Sequence, residues 1–384
     1  YLYRENDLGI RELLFASQPR GITGITITGV GPSTSVGNGT LVGIAGSVSV
    51  DGGEVLREDR LVLDDRSRTT SQSFVISNDS DASTRILEGT GEVWPVDVTT
   101  INSSGFAGVI TYQAIEDFVL DAGKGNDTVN VYGTHREQSV DGSKASTFTV
   151  NGGAGNDVVN IGALTTSGEF SLSEFAIDLT TPTPASAKGI PVIVNGEAGD
   201  DAIHFLDTGT DVDTNLAFTQ RTFAQIFPSN PATIPPTPDQ GALDKFAEIF
   251  GKSPMYEGDG VTLTSYATAV FTRNATLSPL NISARETEEV RVSLGGGDDI
   301  VQLTSGVYAY DITVSGGDGD ETFNVEAGVI AAGREIVFNG QGGDDLVFVD
   351  YETGVPQGAV DVTFNGGTDR SSTGGIGDMF RIAG

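Results

Sequence analysis

Apolar and polar residues alternate along most of the chain, and glycine punctuates the alternation. A period of two places successive side chains on opposite faces of a β-strand, and Val, Ile, Thr and Phe fill many of these positions. The pattern predicts β-structure over residues 22–28, 36–50, 60–63, 73–77, 96–101, 109–112 and 118–120. Residues 7–15 fit either a short helix capped by Asp7 or a strand. The expected fold class is therefore all-β.

One region departs from this alternation. Residues 228–238 contain five prolines in 11 residues, which is incompatible with the interior of a strand. Residues 239–251 follow with apolar side chains at helical spacing and a closing glycine, which predicts a helix. We expect one inserted proline-rich loop and one short helix, which together could form a contact surface.

A glycine-rich acidic segment followed by alternating apolar residues occurs six times. Its fullest form is Gly152-Gly153-Ala154-Gly155-Asn156-Asp157-Val158-Val159-Asn160. In every copy a glycine, then Asn or Asp, then an acidic residue precede a predicted strand. We call these segments the acidic corners; they are Gly125-Asn126-Asp127, Gly155-Asn156-Asp157, Gly199-Asp200-Asp201, Gly297-Asp298-Asp299, Gly319-Asp320-Glu321 and Gly343-Asp344-Asp345.

The spacing of the corners indicates a coiled architecture. Their last acids are 30, 44, 98, 22 and 24 residues apart in chain order. Spacings in the twenties fit one coil of a parallel β-helix or β-solenoid, and longer spacings leave room for insertions. Residues 115–127 also match residues 287–299 at an offset of 172.

These repeats suggest a domain organisation. We expect an N-terminal β segment with a possible subunit contact at 1–48 and a first β-solenoid unit at 49–207. Inserted strands, the proline-rich loop and the helix would occupy 208–286, and a second β-solenoid unit 287–384. Residues 362–382 echo residues 48–63, which predicts that a further unit begins there and that the chain continues or abuts another subunit.

The composition narrows the choice of partners. The chain has 53 Asp and Glu against 21 Lys and Arg, a formal net charge of −32. Nucleic acid and anionic membrane need a basic face and are therefore poor partners. No run of residues approaches the roughly 18 apolar positions of a membrane span. There is no cysteine, so disulfides and thiolate metal sites are excluded.

Stacked acidic corners point to a hard cation. Glycine permits positive φ and close approach of the backbone, whose carbonyls join the Asp and Asn oxygens. Calcium accepts six to eight oxygens from such flexible sets, whereas the strict octahedron of Mg²⁺ fits them less well. The candidate metal-site residues are Gly125, Asn126, Asp127, Gly153, Gly155, Asn156, Asp157, Asp200, Asp201, Asp298, Asp299, Asp318, Asp320, Glu321, Asp344 and Asp345.

Residues 152–160 resemble the calcium-binding nonapeptide of the repeats-in-toxin (hemolysin-type) family at every position. The resemblance implies an extracellular parallel β-roll or β-helix with calcium between turns, in the style of very large repetitive bacterial surface proteins. It implies Asp157 as a side-chain ligand, with the backbone of Gly153 and Gly155 near the ion. The acids at 127, 201, 299 and 345 match the Asp157 position.

The corners also depart from that family pattern. Glu321 replaces aspartate, and Ala122, Leu294, Glu197 and Gln341 replace glycines. The family repeats its nonapeptides in tandem, whereas these copies lie 22 or more residues apart. A wider β-helix with one acidic corner per coil is therefore expected instead of a standard roll.

Two alternatives to calcium and to a structural role stay open. The corners fit plain Asn-Gly or Asp-Gly turns without an ion. The abundant carboxylates also permit a β-helix enzyme that degrades polysaccharide, or a polysaccharide-binding protein. No nucleophile with a histidine partner is legible, and His204 falls on the outward side of a strand.

The sequence therefore predicts a non-enzymatic extracellular or cell-surface protein stabilised by Ca²⁺. We expect head-to-tail assembly with itself into a filament, sheath or surface layer, with cell-surface polysaccharide as a further candidate partner. An adhesin segment that binds through the predicted helix is another alternative.

Overall fold

A computed structural model describes the chain over most of its predicted strands. The described residues are 3–5, 11–13, 24–28, 34–37, 39–52, 59–86, 93–135, 147–164, 168, 170–172, 175, 192–209, 211, 213–221, 266–273, 276–277, 282–305, 310–326, 333–352, 361–368 and 377–383.

The named elements of this part of the chain are all β-strands. The first fifteen are β1 (Tyr3–Glu5), β2 (Arg11–Leu13), β3 (Gly24–Thr28), β4 (Thr34–Gly37), β5 (Ser47–Asp51), β6 (Arg60–Asp64), β7 (Ser73–Ile86), β8 (Val93–Ser103), β9 (Ile110–Gln113), β10 (Asp117–Gly123), β11 (Thr128–Val131), β12 (Thr147–Ala154), β13 (Val158–Ile161), β14 (Ala163–Leu164) and β15 (Phe170–Ser171). The others are β16 (Val192–Ala198), β17 (Ala202–Leu206), β18 (Thr214–Arg221), β19 (Tyr266–Arg273), β20 (Thr276–Leu277), β21 (Ile282–Arg285), β22 (Glu289–Ser293), β23 (Ile300–Ser305), β24 (Asp311–Asp318), β25 (Thr322–Glu326), β26 (Glu335–Gly342), β27 (Leu346–Asp350), β28 (Asp361–Thr368) and β29 (Met379–Ala383).

Two large sheets contain nearly all of these strands. Sheet A has 15 strands in the order β1-β2-β4-β6-β10-β12-β16-β21-β19-β18-β23-β25-β27-β29, with β20 paired to β19. Sheet B has 12 strands in the order β28-β26-β24-β22-β17-β13-β11-β7-β8-β9-β5-β3. Most neighbours are parallel, and the chain passes from one sheet to the other between consecutive strands. The all-β class and its parallel sheets are thereby confirmed.

Neighbouring strands keep a strict register. Strands β10, β12 and β16 stack in sheet A, while β11, β13 and β17, which follow them in the chain, stack in sheet B. The pairs β22/β23, β24/β25 and β26/β27 repeat the arrangement. We call two strands joined through a corner a strand pair. Each acidic corner therefore lies directly above the corner of the preceding strand pair.

An antiparallel strand interrupts each sheet once. In sheet B, β8 lies antiparallel between β7 and β9. In sheet A, β19 lies antiparallel between β18 and β21. After the second interruption the sheets exchange roles: corners that follow β10, β12 and β16 lead from A to B, whereas those that follow β22, β24 and β26 lead from B to A. The six corners therefore divide into two groups.

Apolar side chains from both sheets form one buried core. Alternate residues of each strand point into it, so that equivalent positions stack from strand to strand. The ring of Phe118 stacks on those of Tyr112 and Phe148, with centroids 5.0 and 4.8 Å away. Phe338 stacks in the same way on Phe323 at 5.3 Å. These ladders hold the corners at a fixed spacing.

Several expectations can now be compared with the strands. The predicted segments 60–63, 73–77, 96–101, 109–112 and 118–120 coincide with β6 to β10. Residues 11–13 of the ambiguous N-terminal segment form the strand β2. The proline-rich loop and the helix over 239–251 lie outside the described residues. In the described part of the chain, no helix has the length and apolar character needed to cross a membrane.

Candidate functional site: two columns of buried corner acids

The last acid of every corner is buried. The exposed fraction is 1% for Asp127, 2% for Asp157 and 3% for Asp201. It is equally low in the second half of the chain, where the acids are Asp299, Glu321 and Asp345. The residue before each acid lies outside, and Asn126, Asn156, Asp200, Asp298 and Asp320 are exposed. The corner thus turns one acid inward and leaves its neighbour in solvent.

Glycine makes room for the inward acid. A Cβ atom on Gly152 would lie 2.5 Å from Oδ2 of Asp157, and one on Gly196 would lie 2.5 Å from Oδ2 of Asp201. The acid side chain therefore folds over the glycine five residues earlier in the same strand pair. Larger residues at those two positions would collide with a carboxylate.

A second set of glycines allows the corners to stack. Gly155 has φ +134°, and a Cβ there would overlap the carbonyl oxygen of Gly125 in the neighbouring corner. Gly343 has φ +144° and the same relation to Gly319. Both the backbone conformation and the contact exclude side chains. Close stacking alone therefore accounts for the glycine at this position, whether or not an ion is bound.

The first three corners form a column held by carboxylate hydrogen bonds. The backbone N–H of Asp127 donates to Oδ1 of Asp157 at 2.7 Å, and that of Asp157 donates to Oδ1 of Asp201 at 2.8 Å. The N–H of Asp201 donates to Oε2 of Glu288 at 2.8 Å, and Asp127 Oδ1 accepts from Gln72 N–H. Each acid thus joins two strand pairs.

The other three corners form a second column at the opposite junction between the sheets. Oδ1 of Asp299 accepts from the N–H of Thr214 at 2.7 Å. The N–H of Glu321 donates to Oδ1 of Asp345 at 3.0 Å, and the N–H of Asp345 donates to Oδ1 of Asp378 at 3.1 Å. The predicted corner acids are therefore brought together in two sets of three.

The outer residues of the corners form parallel ladders of their own. In the first column Asn156 N–H donates to Asn126 Oδ1, and Asp200 N–H donates to Asn156 Oδ1. In the second column the outer row is entirely acidic, and the N–H groups of Asp298, Asp320 and Asp344 donate to Oδ1 of Asp213, Asp298 and Asp320. Negative charge is therefore concentrated in the second column. Asp318 lies at the exposed end of β24 and outside both buried rows.

One oxygen of most inward acids is left over. Oδ2 of Asp127, Asp157, Asp201 and Asp345 and both carboxylate oxygens of Glu321 are buried and accept no hydrogen bond from the described residues. A buried acceptor without a partner is costly, and an ionised one more so. Burial accordingly raises the pKa of Asp127 and Asp299 to about 7 and that of Asp201 to about 6. These oxygens need either a proton or a cation.

The surroundings of the leftover oxygens fit a hard cation. The point that a Cβ of Gly152 would occupy lies 2.5 Å from Oδ2 of Asp157 and 3.0 Å from the carbonyl oxygen of Gly196 in the next strand pair. All nearby donors are oxygens, which calcium prefers. No group of three or more His, Asp or Glu side chains converges on one point within the described residues. Backbone carbonyls and water would therefore supply most of a calcium shell.

Some members of the columns were not predicted from the corners. Glu288 ends the first column, and the equivalent Glu116 accepts the N–H of Asp59 at 2.7 Å. The two glutamates are 172 residues apart, so the long repeat carried the signal. Asp378, which extends the second column, lies in the segment that echoes residues 48–63.

The two histidines lie away from the corners. His204 is half-buried, and its Nε2 lies 2.8 Å from Oγ of Ser293. His135 is buried, with Nδ1 2.9 Å from the hydroxyl of Tyr112 and Nε2 3.1 Å from the carbonyl oxygen of Glu116. Burial lowers the pKa of His135 to about 4. Its contacts are those of a neutral side chain that satisfies core polar groups.

Comparison with known proteins gives no relationship from which a function could be transferred. No protein-family model, no curated protein and no solved structure matches the chain significantly.

Proposed function

We propose that the chain is a non-enzymatic structural protein whose stacked strand pairs are coils of a calcium-stabilised β-solenoid. The observation that supports this most strongly is the set of buried, unpartnered carboxylate oxygens arranged in two columns. A cation at each corner would offset the repulsion between stacked acids and hold neighbouring coils in register. The resemblance of residues 152–160 to the repeats-in-toxin nonapeptide favours calcium as that cation.

An extracellular location is part of the proposal. Extracellular modules bind calcium in the 10⁻⁴–10⁻³ M range, roughly, and corners with few carboxylate ligands suit that regime. The net charge of −32 would also destabilise the folded chain through self-repulsion where divalent cations are scarce. We therefore place the protein at a cell surface or outside the cell.

Head-to-tail assembly completes the proposal. Strands β28 and β29 lie at corresponding ends of the two sheets, and Phe380 and Ile382 of β29 are 43% and 62% exposed. Exposed apolar side chains on open sheet edges favour pairing with another β-structure. We propose a second copy of the chain as that partner. Sedimentation velocity in calcium would show concentration-dependent association, and Ile382→Asp would weaken it; a wild-type chain that stays monomeric would contradict assembly.

Thermal unfolding tests the calcium part directly. The chain would be stripped with a chelator and melted with excess chelator, with Mg²⁺ and with Ca²⁺, using circular dichroism to follow the strands. We expect the melting temperature to rise with calcium concentration and to respond less to magnesium, because a ligand that binds only the folded state stabilises it. Equal melting temperatures in chelator and calcium would mean that the corners are ordinary turns.

A further inference from the structure

Glu321 is the one corner acid that departs from the hydrogen-bonding pattern of its column. In the first column every inward acid accepts the N–H of the preceding corner through one oxygen. Glu321 is longer by one methylene, and neither of its carboxylate oxygens accepts a hydrogen bond from the described residues. The side chain nevertheless remains 99% buried, because only 1% of it is exposed. Its charge therefore lacks the amide contact that its equivalents have.

The longer side chain places Glu321 against a second buried carboxyl group. The Glu321 carboxyl lies within hydrogen-bonding reach of the Asp345 carboxyl, so that a proton on one can be shared with the other. As two ionised acceptors they cannot bond each other, and Oδ2 of Asp345 is also without a partner. Burial and the neighbouring Asp345 raise the pKa of Glu321. Such a carboxyl pair calls for a shared proton or a cation.

Backbone oxygens surround the pair. The point that a Cβ of Gly319 would occupy lies 2.7 Å from Oε1 of Glu321 and against the carbonyl oxygen of Gly297. The corresponding point at Gly340 lies 2.6 Å from the carbonyl oxygen of Gly366 and against Oδ2 of Asp345. Two carboxylates and at least two carbonyls therefore line adjacent cradles that are free of side-chain carbon. This is a denser oxygen set than any of the first three corners shows.

The charge around the pair has one sign. The acidic groups that act on Glu321 are Asp345, Asp299 and Asp298, while Arg68 acts on Asp127 in the first column. Just outside the pair, the N–H of Asp344 donates to Oδ1 of Asp320 at 2.9 Å, which stacks two exposed carboxylates. A divalent cation at this point would be attracted by four carboxylates within two neighbouring corners.

We propose that Glu321 and Asp345 form a calcium site distinct from the other corners and the tightest in the chain. This inference rests on the proposed function, since it assumes that the corners take calcium. It adds that the glutamate, which breaks the repeated pattern, creates a bidentate-capable ligand beside a second carboxylate. The other corners offer one carboxylate each and would fill at higher calcium concentrations.

Calorimetric titration of the full, chelator-treated chain with calcium tests the proposal. Glu321→Gln keeps the shape of the side chain and removes its charge, and Asp345→Asn removes the other carboxylate. We expect the tightest binding step to weaken more than about tenfold in both variants, because each loses a direct ligand. Glu335→Gln, at an exposed position outside the corners, is the matched control and should reproduce the wild-type titration.

The possible results separate this inference from the proposed function. If the wild type takes up calcium and Glu321→Gln titrates identically, the special role of the pair is wrong while the calcium proposal survives. If the wild type takes up no calcium, both fail. Circular dichroism checks that each variant is folded. Should Glu321→Gln fail to fold, Glu321→Asp keeps the charge but shortens the reach, and wild-type affinity in that variant would also overturn the inference.

Discussion

Replacing a stacking glycine should cost far more than replacing a glycine of similar backbone conformation elsewhere. Gly343→Ala places a methyl group on the carbonyl oxygen of Gly319, at φ +144°. Gly333→Ala is the control, because Gly333 has φ +76° and nothing within 4 Å of the added atom. Both variants carry backbone strain of about 1–3 kcal/mol and lose unfolded-state entropy alike. Their difference therefore isolates the contact between corners.

The structure sets the size of that difference. A carbon and an oxygen need a separation of about 3.5 Å, so the two corners would have to move apart by more than about 1 Å. Two backbone hydrogen bonds at this level would be strained: Gly319 N–H to Gly342 carbonyl at 2.6 Å and Gly343 N–H to Thr368 carbonyl at 3.3 Å. Each contributes about 1 kcal/mol, and overpacking adds about 1–3 kcal/mol. We expect Gly343→Ala to lose about 3–5 kcal/mol more than Gly333→Ala.

Urea unfolding followed by circular dichroism measures both variants, with calcium and with chelator. The chelator series matters because it separates stacking from any loss of an ion. Equal unfolding midpoints for Gly343→Ala and Gly333→Ala would refute the argument, since the corner glycines would then serve only their φ angles.

Three further predictions concern the buried groups. In chelator, the free energy of unfolding should fall as pH rises from about 4 to about 7, because Asp127 and Asp299 have pKa values raised from 3.8 to about 7 and lose stabilising protons in that window; urea midpoints across pH that stay flat would contradict it. His135, whose pKa is lowered from 6.5 to about 4, contributes stability that is lost as pH falls through this range, so the stability of His135→Gln relative to wild type should improve on acidification. Phe118→Ala should cost about 3–5 kcal/mol in urea unfolding because the ring is fully buried. Phe348→Ala, whose ring is only half-buried, should cost much less, and similar losses for both would contradict the assigned core.

The strands and the corners could be predicted because each depends on local sequence. Alternating Val, Ile and Phe identify strands whatever their partners, and glycine beside paired acids identifies a turn. The direction of a strand is not encoded in its alternation, so the antiparallel β8 and β19 were not foreseeable. Their consequence, two corner columns at opposite junctions instead of one, was therefore also missed.

The burial of the corner acids was equally hard to read from the sequence. Charge normally indicates exposure, and the printed residues do not show that Gly152 leaves space for Asp157. The hydrogen bonds from Asp127 N–H and Asp157 N–H depend on the stacking of residues 30 and 44 positions apart. The effect of Glu321 depends on one methylene group in one corner, and it becomes visible only beside Asp345.

The short corner connections have a practical consequence for engineering. Residues 155–157, 199–201, 319–321 and 343–345 are the entire links between successive strands at four corners. The links at the other ends of the same strands vary in length, as between β11 and β12 and between β23 and β24. Foreign peptides or fluorescent tags should therefore be grafted at those variable links. The glycine-lined bends offer no tolerance for added sequence.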